Sequence, residues 1–544
     1  MITRCRLTLA ALMVVALSSP PALAQHEHQA GVLSSEQVGT VDFRTSCAPA
    51  VKDDFNRAVA LLHSFWFPEA RQEFEAILQT DAACAMAHWG IALTHWGNPF
   101  GGLRSAQTIA AGQAAVQRAQ ATGSPSARER AYIDAVAGLF SSADPGTQRA
   151  RVVAFERAMA QVAADNPDDV EATIFWGLAI AQTALPTDKT YAANRRAADL
   201  MEPLFAKMPG HPGLAHYIIH AYDVPALAPR ALDAARRYAS IAPAVPHALH
   251  MPSHTFTRVG YWRESVETNI KSADAAKRAG GVGEELHALD YQIYAYLQMA
   301  YDRQAKAVLE RAMTAGGGPS SAAPSPGAPS GGANTFALAA IPARYALERR
   351  AWTDAMALEV RPAPTTPYTE AITHFARALG AARAGKPAAA APDVARLAAL
   401  RDRLVEMKDA YWAEQVDIQR RVAEAWVAYA SGRTDEGLAA LRAAADAEDA
   451  TDKAAVTPGP LAPARELLGY MLLDAGRHAD ALAAFDSTIT KEPNRFLALF
   501  GAGQAAEKAG DTARAAGYYR QLVEICRGAD ADRAELGHAA AFLK

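Results

Sequence analysis

Four histidines in the middle of this chain are spaced so that they could share one chemical task. His216 and His220 are four residues apart, as are His250 and His254, and the second pair follows the first by 34 residues. Four-residue spacing puts two side chains on one face of a helix, and equivalent positions on helices packed about 8 to 10 Å apart can lean toward one point. Imidazole nitrogens at about 2.0 to 2.1 Å suit Zn, Cu or another late first-row divalent transition metal, and a carboxylate can complete three or four ligands. His216, His220, His250 and His254 are therefore the candidate metal ligands, with His247 and His287 beside them and Asp223 or Asp290 as carboxylate partners. The same rings could instead form a metal-free polar groove that takes a peptide, or hydrogen-bond between helices. His88 and His95 are expected to pack beside Trp89 and Trp96, and His26 and His28 to belong to a tail. No HExxH, P-loop, GxSxG or dinucleotide fingerprint occurs, so no catalytic residue is assigned, and a binding protein is expected ahead of an enzyme.

The elements that would position these residues are read from an internal repeat. A two-helix unit of 34 residues has a readable pattern: L-G-x2-Y in the first helix, A-x3-F in the second, then Pro. Ala462 to Arg495 fits it, with Leu468-Gly469, Ala481, Phe485 and Pro493 in place, and a further unit follows from Phe496 with Gly503, Ala515, Tyr519 and Leu522. The template also reads from Pro212 (Tyr222, Ala231, Ala235, Pro243) and from Pro246 (Phe256, Ser265, Asn269). Looser copies begin at Val51 (Ala70, Phe74), Ala85 and Leu286 (Tyr296, Ala305, Leu309). Small residues let two helices of a hairpin approach, large ones fill the gap to the next hairpin, and stacking makes one continuous core.

These matches resemble the tetratricopeptide-repeat superfamily. The segments LLHSFWFPEA, CAMAHWGIA, GLAHYIIHAYD, HALHMPSHTFTRVGYW and HALDYQIYAYLQ are also similar to exported bacterial tetratricopeptide-repeat proteins. The resemblance implies an all-α fold, an α-solenoid or superhelix of helical hairpins, whose concave groove is lined by places 2, 5, 9 and 12 of the first helices. On that count His216, His220 and Asp223 face the groove from one unit, and His247, His250, His254 and Thr257 from the next. His287, Asp290 and Tyr294 do so from the third, with Trp89 and Trp176 toward the N-terminal end. Pro252 departs from the pattern, since proline inside a helix costs roughly 3 kcal/mol; the first helix of that unit either begins there or enters through a distorted turn, which leaves the aim of His247 and His250 open. The function implied is non-enzymatic binding of a peptide or protein partner in a groove lined by His, Asp and Tyr. The alternative is a metal-binding protein, with Zn or Cu at the histidines and metal-dependent oxidative or hydrolytic chemistry.

The organisation expected along the chain starts with a secretory signal peptide at 1–24, where Arg4 and Arg6 precede the apolar run Leu7 to Leu17 and the site Ala22-Leu23-Ala24. That run is too short to span a bilayer, so the mature protein is expected to be periplasmic or secreted, with no transmembrane segment. An extension at 25–46, a repeat array with the histidine groove at 47–314, a Gly/Pro/Ser-rich linker at 315–335, degenerate hairpins at 336–449 and a C-terminal repeat pair at 450–544 follow. Losing Arg4 and Arg6 moves the formal charge from −4 to −6, a weak acidity that argues against a nucleic-acid partner. With Cys5 gone, Cys47, Cys84 and Cys526 remain. In an oxidising compartment the first two are expected to form a disulfide, with Cys526 a buried free thiol.

Overall fold

The computed structural model describes residues 33–316, 332–360 and 366–544, the side chains of 332–334 excepted. The expected signal peptide, His26, His28 and most of the expected linker lie outside these residues. Helix reaches both edges of that linker, since one helix runs to Gly316 and the next begins at Gly332. Among the described residues there is no strand, and no helix is long and apolar enough to cross a membrane.

Antiparallel hairpins follow one another through Ser34–Lys544, which pack as one compact unit. Pairs such as Lys52–His63 with Phe67–Thr80, Ala464–Asp474 with His478–Lys491, and Phe496–Lys508 with Thr512–Ile525 are joined by the same short turn. Its second residue is left-handed and usually glycine, as at Gly260, Gly432, Gly476 and Gly510, because a missing Cβ removes the penalty of that conformation. Phe65 holds the same place with φ 55, against a cost of about 1–2 kcal/mol for an ordinary L-residue.

The repeat pattern has a direct packing cause. A Cβ added at Gly503 would sit 2.3 Å from the Tyr519 ring, and one at Gly90 would sit 2.3 Å from the Phe74 ring. The aromatic of a second helix is thus seated on a glycine, of its own hairpin's first helix at Gly503 and of the next hairpin's at Gly90. Ahead of the first hairpin, Val38, Val41 and Phe43 are buried, and Thr40 N–H donates to the Gly210 carbonyl at 3.0 Å. The Cys47–Cys84 disulfide is present, and Cys526 is buried and free.

The superhelix closes on itself. Trp262 Nε1 donates to the Asn494 carbonyl at 2.8 Å, and Phe496 N–H donates to Gln298 Oε1 at 2.9 Å. The non-helical stretch between Asp449 and Ala464 lies inside the molecule. Its Asp452 N–H donates to the Pro186 carbonyl at 3.0 Å, and Arg344 donates to Thr457 Oγ1 at 2.7 Å and to the Gly459 carbonyl at 3.0 Å.

Two outcomes follow for stability. Gly503→Ala should lower the urea midpoint, because overpacking costs about 1–3 kcal/mol, more than the roughly 0.5–1 kcal/mol that alanine gains over glycine in a helix. Gly517→Ala, in the facing helix with nothing within 4 Å of the new Cβ, should raise it. In native unreduced protein neither Cys47 nor Cys84 should be alkylated, and reducing their bridge, with a sequence separation of 37, should cost about 4 kcal/mol on the chain-entropy view.

Candidate metal centre

Among the described residues, four groups of His, Cys, Asp and Glu could hold an ion: His216 with His220 and His247; His250 with His254 and His287; His63 with Glu171 and His211; and Cys47 with Asp81 and Cys84. In each, one ligand atom per residue lies within 4.8 Å of the others. Two are already satisfied by the protein. The cysteines are a disulfide. Glu171 takes His63 Nε2 on one oxygen and His211 Nε2 on the other, both at 2.9 Å; burial pushes its pKa up, but the adjacent His211 and His63 outweigh that and hold it well below the usual carboxylate range.

The other two groups keep nitrogens to spare. Nε2 of His216, His220 and His247 are all buried with no hydrogen-bond partner. His216 Nδ1 donates to the carbonyl of His63 at 2.7 Å, and His247 Nδ1 lies 3.3 Å from Glu284 Oε2. A carbonyl or carboxylate can only accept, so the ring proton is on Nδ1 and Nε2 carries a lone pair. In the second group His254 Nδ1 donates to Asp223 Oδ2 at 2.9 Å, and His250 Nδ1 donates to Asn269 Oδ1 at 2.7 Å. The Asn269 amide is held in that sense because its nitrogen donates to the Ser265 carbonyl at 2.7 Å. The two Nε2 atoms then face each other at 3.1 Å, lone pair to lone pair. A cation between them removes that repulsion.

Burial keeps these rings neutral. It pushes His216, His220 and His250 well below the ordinary histidine value, with the neighbouring imidazoles adding to it, and lowers His254 to about 4 and His287 to about 3. Asp223 stays ionised: burial raises its pKa, but Lys453, Arg258 and His254 hold it well below the carboxylate range. Arg258 Nε donates to Asp223 Oδ1 at 2.9 Å and Lys453 Nζ to Oδ2 at 3.2 Å. A carboxylate that holds the second nitrogen of a ligand histidine sets its tautomer and raises its basicity.

Pro252 explains the aim of the second unit. Having no N–H, it splits the first helix into Pro246–His250 and Pro252–Arg258, while Met251 N–H still donates to the His247 carbonyl at 2.9 Å. The helix bends rather than starting late, and His247, His250 and His254 stay buried on the inner side.

The family model described as tetratricopeptide repeat matches residues 422–490 and 466–530. Residues 422–530 carry tetratricopeptide repeats. No curated protein sequence matches it. Among solved structures it is similar to the APC/C hetero-tetramer Cut9-Hcn1 (11% identity, 90% of this chain and 89% of that one, TM-score 0.33). It is also similar to the human IFIT1 dimer with PPP-AAAA (11%, 81% and 90%, 0.34) and to the apo form of RapI (10%, 74% and 96%, 0.32). These superpositions are too loose to carry a functional argument. A tetratricopeptide-repeat superhelix is an architecture suited to a protein-binding scaffold.

The fold brings the six histidines together but groups them differently from the sequence expectation. His216 and His220 are completed by His247, and His250 and His254 by His287. Other residues expected in the groove lie elsewhere. Trp89 is a core residue packed on Phe43, Tyr132 and Phe175. Trp176 donates from Nε1 to Glu156 at 2.9 Å beneath Arg196. Asp290 is buried in an ion pair with Arg344 at 2.8 Å, and Tyr294 is buried against Trp262 with its hydroxyl accepting from Arg495 at 3.1 Å. They face the returning C-terminal half, which a single-repeat register does not reveal. Two aromatics at the site were not anticipated. Phe65 has its ring centroid 4.3 Å from that of His216, and Phe100 stacks on His220 at 4.1 Å.

The lowered histidine values fix a pH dependence. Between about 4 and the ordinary 6.5 the unfolded chain binds protons that His216, His220, His250, His254 and His287 refuse when folded, so stability rises with pH there. The metal-free protein should hold a constant melting temperature above about pH 6.5 and lose it steadily down to about 4, as read by circular dichroism. A melting temperature unchanged between pH 7 and 4.5 would contradict burial of neutral rings.

Proposed function

We propose that this chain is an exported transition-metal protein that binds two ions, one at His216, His220 and His247 and one at His250, His254 and His287. The single observation that carries this reading is that Nε2 of His216, His220 and His247 are buried without a partner while Nε2 of His250 and His254 stand 3.1 Å apart. Leaving buried polar atoms unpaired costs about 1–3 kcal/mol each, and coordination converts that cost into binding. Three imidazoles with an open position suit Zn or Cu. Export is supported by the Cys47–Cys84 bridge, which belongs in an oxidising compartment.

The peptide-binding reading is less well supported by the groove. Residues 452–460 already hydrogen-bond there to Tyr291, Arg344 and Asp223, so an incoming peptide would have to displace the protein's own chain.

Protein purified without tag or chelator should contain two transition-metal ions per chain by elemental analysis. His216→Ala and His254→Ala should each remove one, with helical content unchanged. Stripping the metal should lower stability by about 2.7 kcal/mol per site where free metal stands at a hundred times Kd. Metal-free protein that takes up no Zn or Cu on titration would end this reading.

A further inference from the structure

The two triads are not separated from each other. Within them, ring centroids stand at 4.8 Å (His216–His220), 5.0 Å (His216–His247), 5.0 Å (His250–His254) and 6.3 Å (His254–His287). Across the boundary His220 is 5.8 Å from His254, and His247 is 6.0 Å from His250. The gap between the sites is thus no wider than the widest spacing inside one, and two ions held here are close enough to share a bridging ligand.

The charge of the surroundings bears on which ion. All six donors are neutral nitrogens. Of the carboxylates beside them, Asp223 is already offset by Arg258 and Lys453, and Glu284, at His247, has a side chain 44% exposed. Two divalent ions would put four positive charges into a pocket with little anionic compensation, and the cost of burying an ion grows with the square of its charge. Monovalent copper halves the charge, accepts imidazole donors and leaves a position open at each ion.

We propose that the six histidines hold a pair of copper ions that binds dioxygen between them. The proposal rests on the two-site metal reading. Each Cu(I) gives up one electron, becoming Cu(II); dioxygen takes both and is held as a two-electron-reduced bridge, with a bond formed to each copper and no proton moved. The total charge of the pair and its ligand stays at two positive, so the buried surroundings need not reorganise around a new charge.

The test loads metal-free protein anaerobically with Cu(I), measures bound copper, admits dioxygen, and follows uptake, the copper X-ray absorption edge and the Cu(II) electron paramagnetic resonance signal. Expected are two coppers per chain, one dioxygen per pair, an edge shifted to Cu(II), and a spin signal well under a tenth of the copper present because the two spins pair through the bridge. His250→Ala should bind one copper and take up no dioxygen; should that variant fail to fold, His287→Ala, at a half-buried position, replaces it. Two bound coppers with no uptake, or oxidised copper with its full spin signal, would overturn the dioxygen pair while leaving the two-site metal reading intact. A chain that refuses Cu(I) but binds two Zn ions would overturn the copper assignment alone. Failure to bind either metal would remove both readings.

Discussion

A neutral imidazole has one proton, and where that proton goes decides what the ring can do. In both triads the surrounding protein draws it outward. The His63 carbonyl takes it from His216, Asp223 from His254 and Asn269 from His250. What is left pointing inward is a set of lone pairs that burial keeps unprotonated. The contrast with His63 and His211 is instructive, because there Glu171 lies between the rings and consumes the inward nitrogens itself. Rings of the same kind, a few ångströms apart, thus divide into a closed structural knot and an open ligand set, and the difference is the placing of one carboxylate.

That arrangement depends on contacts made far along the chain. Asp223, which orients His254, is itself pinned by Arg258 from the next unit and by Lys453 from the segment that returns through the groove. The same segment is gripped by Arg344, whose other partner is the buried Asp290. Arg495 joins Glu466 and Glu348, all fully buried. Polar networks of this kind are costly when half satisfied; here they tie the C-terminal hairpins to the histidine-bearing ones, so the site is supported from both ends of the superhelix.

The hairpins were legible in the sequence because their rule is local: a small residue under an aromatic, repeated every 34 positions, as at Gly503 under Tyr519. The histidine pairs were legible for the same reason, since repeat spacing puts residues on matching faces. What the sequence did not disclose is how the array folds back. Asp290 and Tyr294 hold groove-type places in their helix, yet their partners, Arg344 and Arg495, lie beyond the Gly/Pro/Ser-rich stretch. Trp89 failed as a groove residue because the N-terminal extension supplies Phe43 to cover it. His247 was obscured by Pro252, which bends the helix without turning the ring away. Phe65 did leave a trace: the turn residue that is usually glycine is phenylalanine there, and its ring stands against His216.

The segment between Asp449 and Ala464 is covalently part of the protein, so its return to the groove is a unimolecular event that dilution cannot weaken. Tyr291 connects it to the imidazoles: its hydroxyl lies 3.1 Å from the carbonyls of Ala455 and Thr457, and its ring stacks on His254 at 4.9 Å. Whatever enters or leaves the second triad from that side must wait for the strap to lift. If the triad holds a metal as proposed, exchange by that path would be timed by local opening, and a stronger chelator outside would change the final distribution of metal without hastening its release by that path.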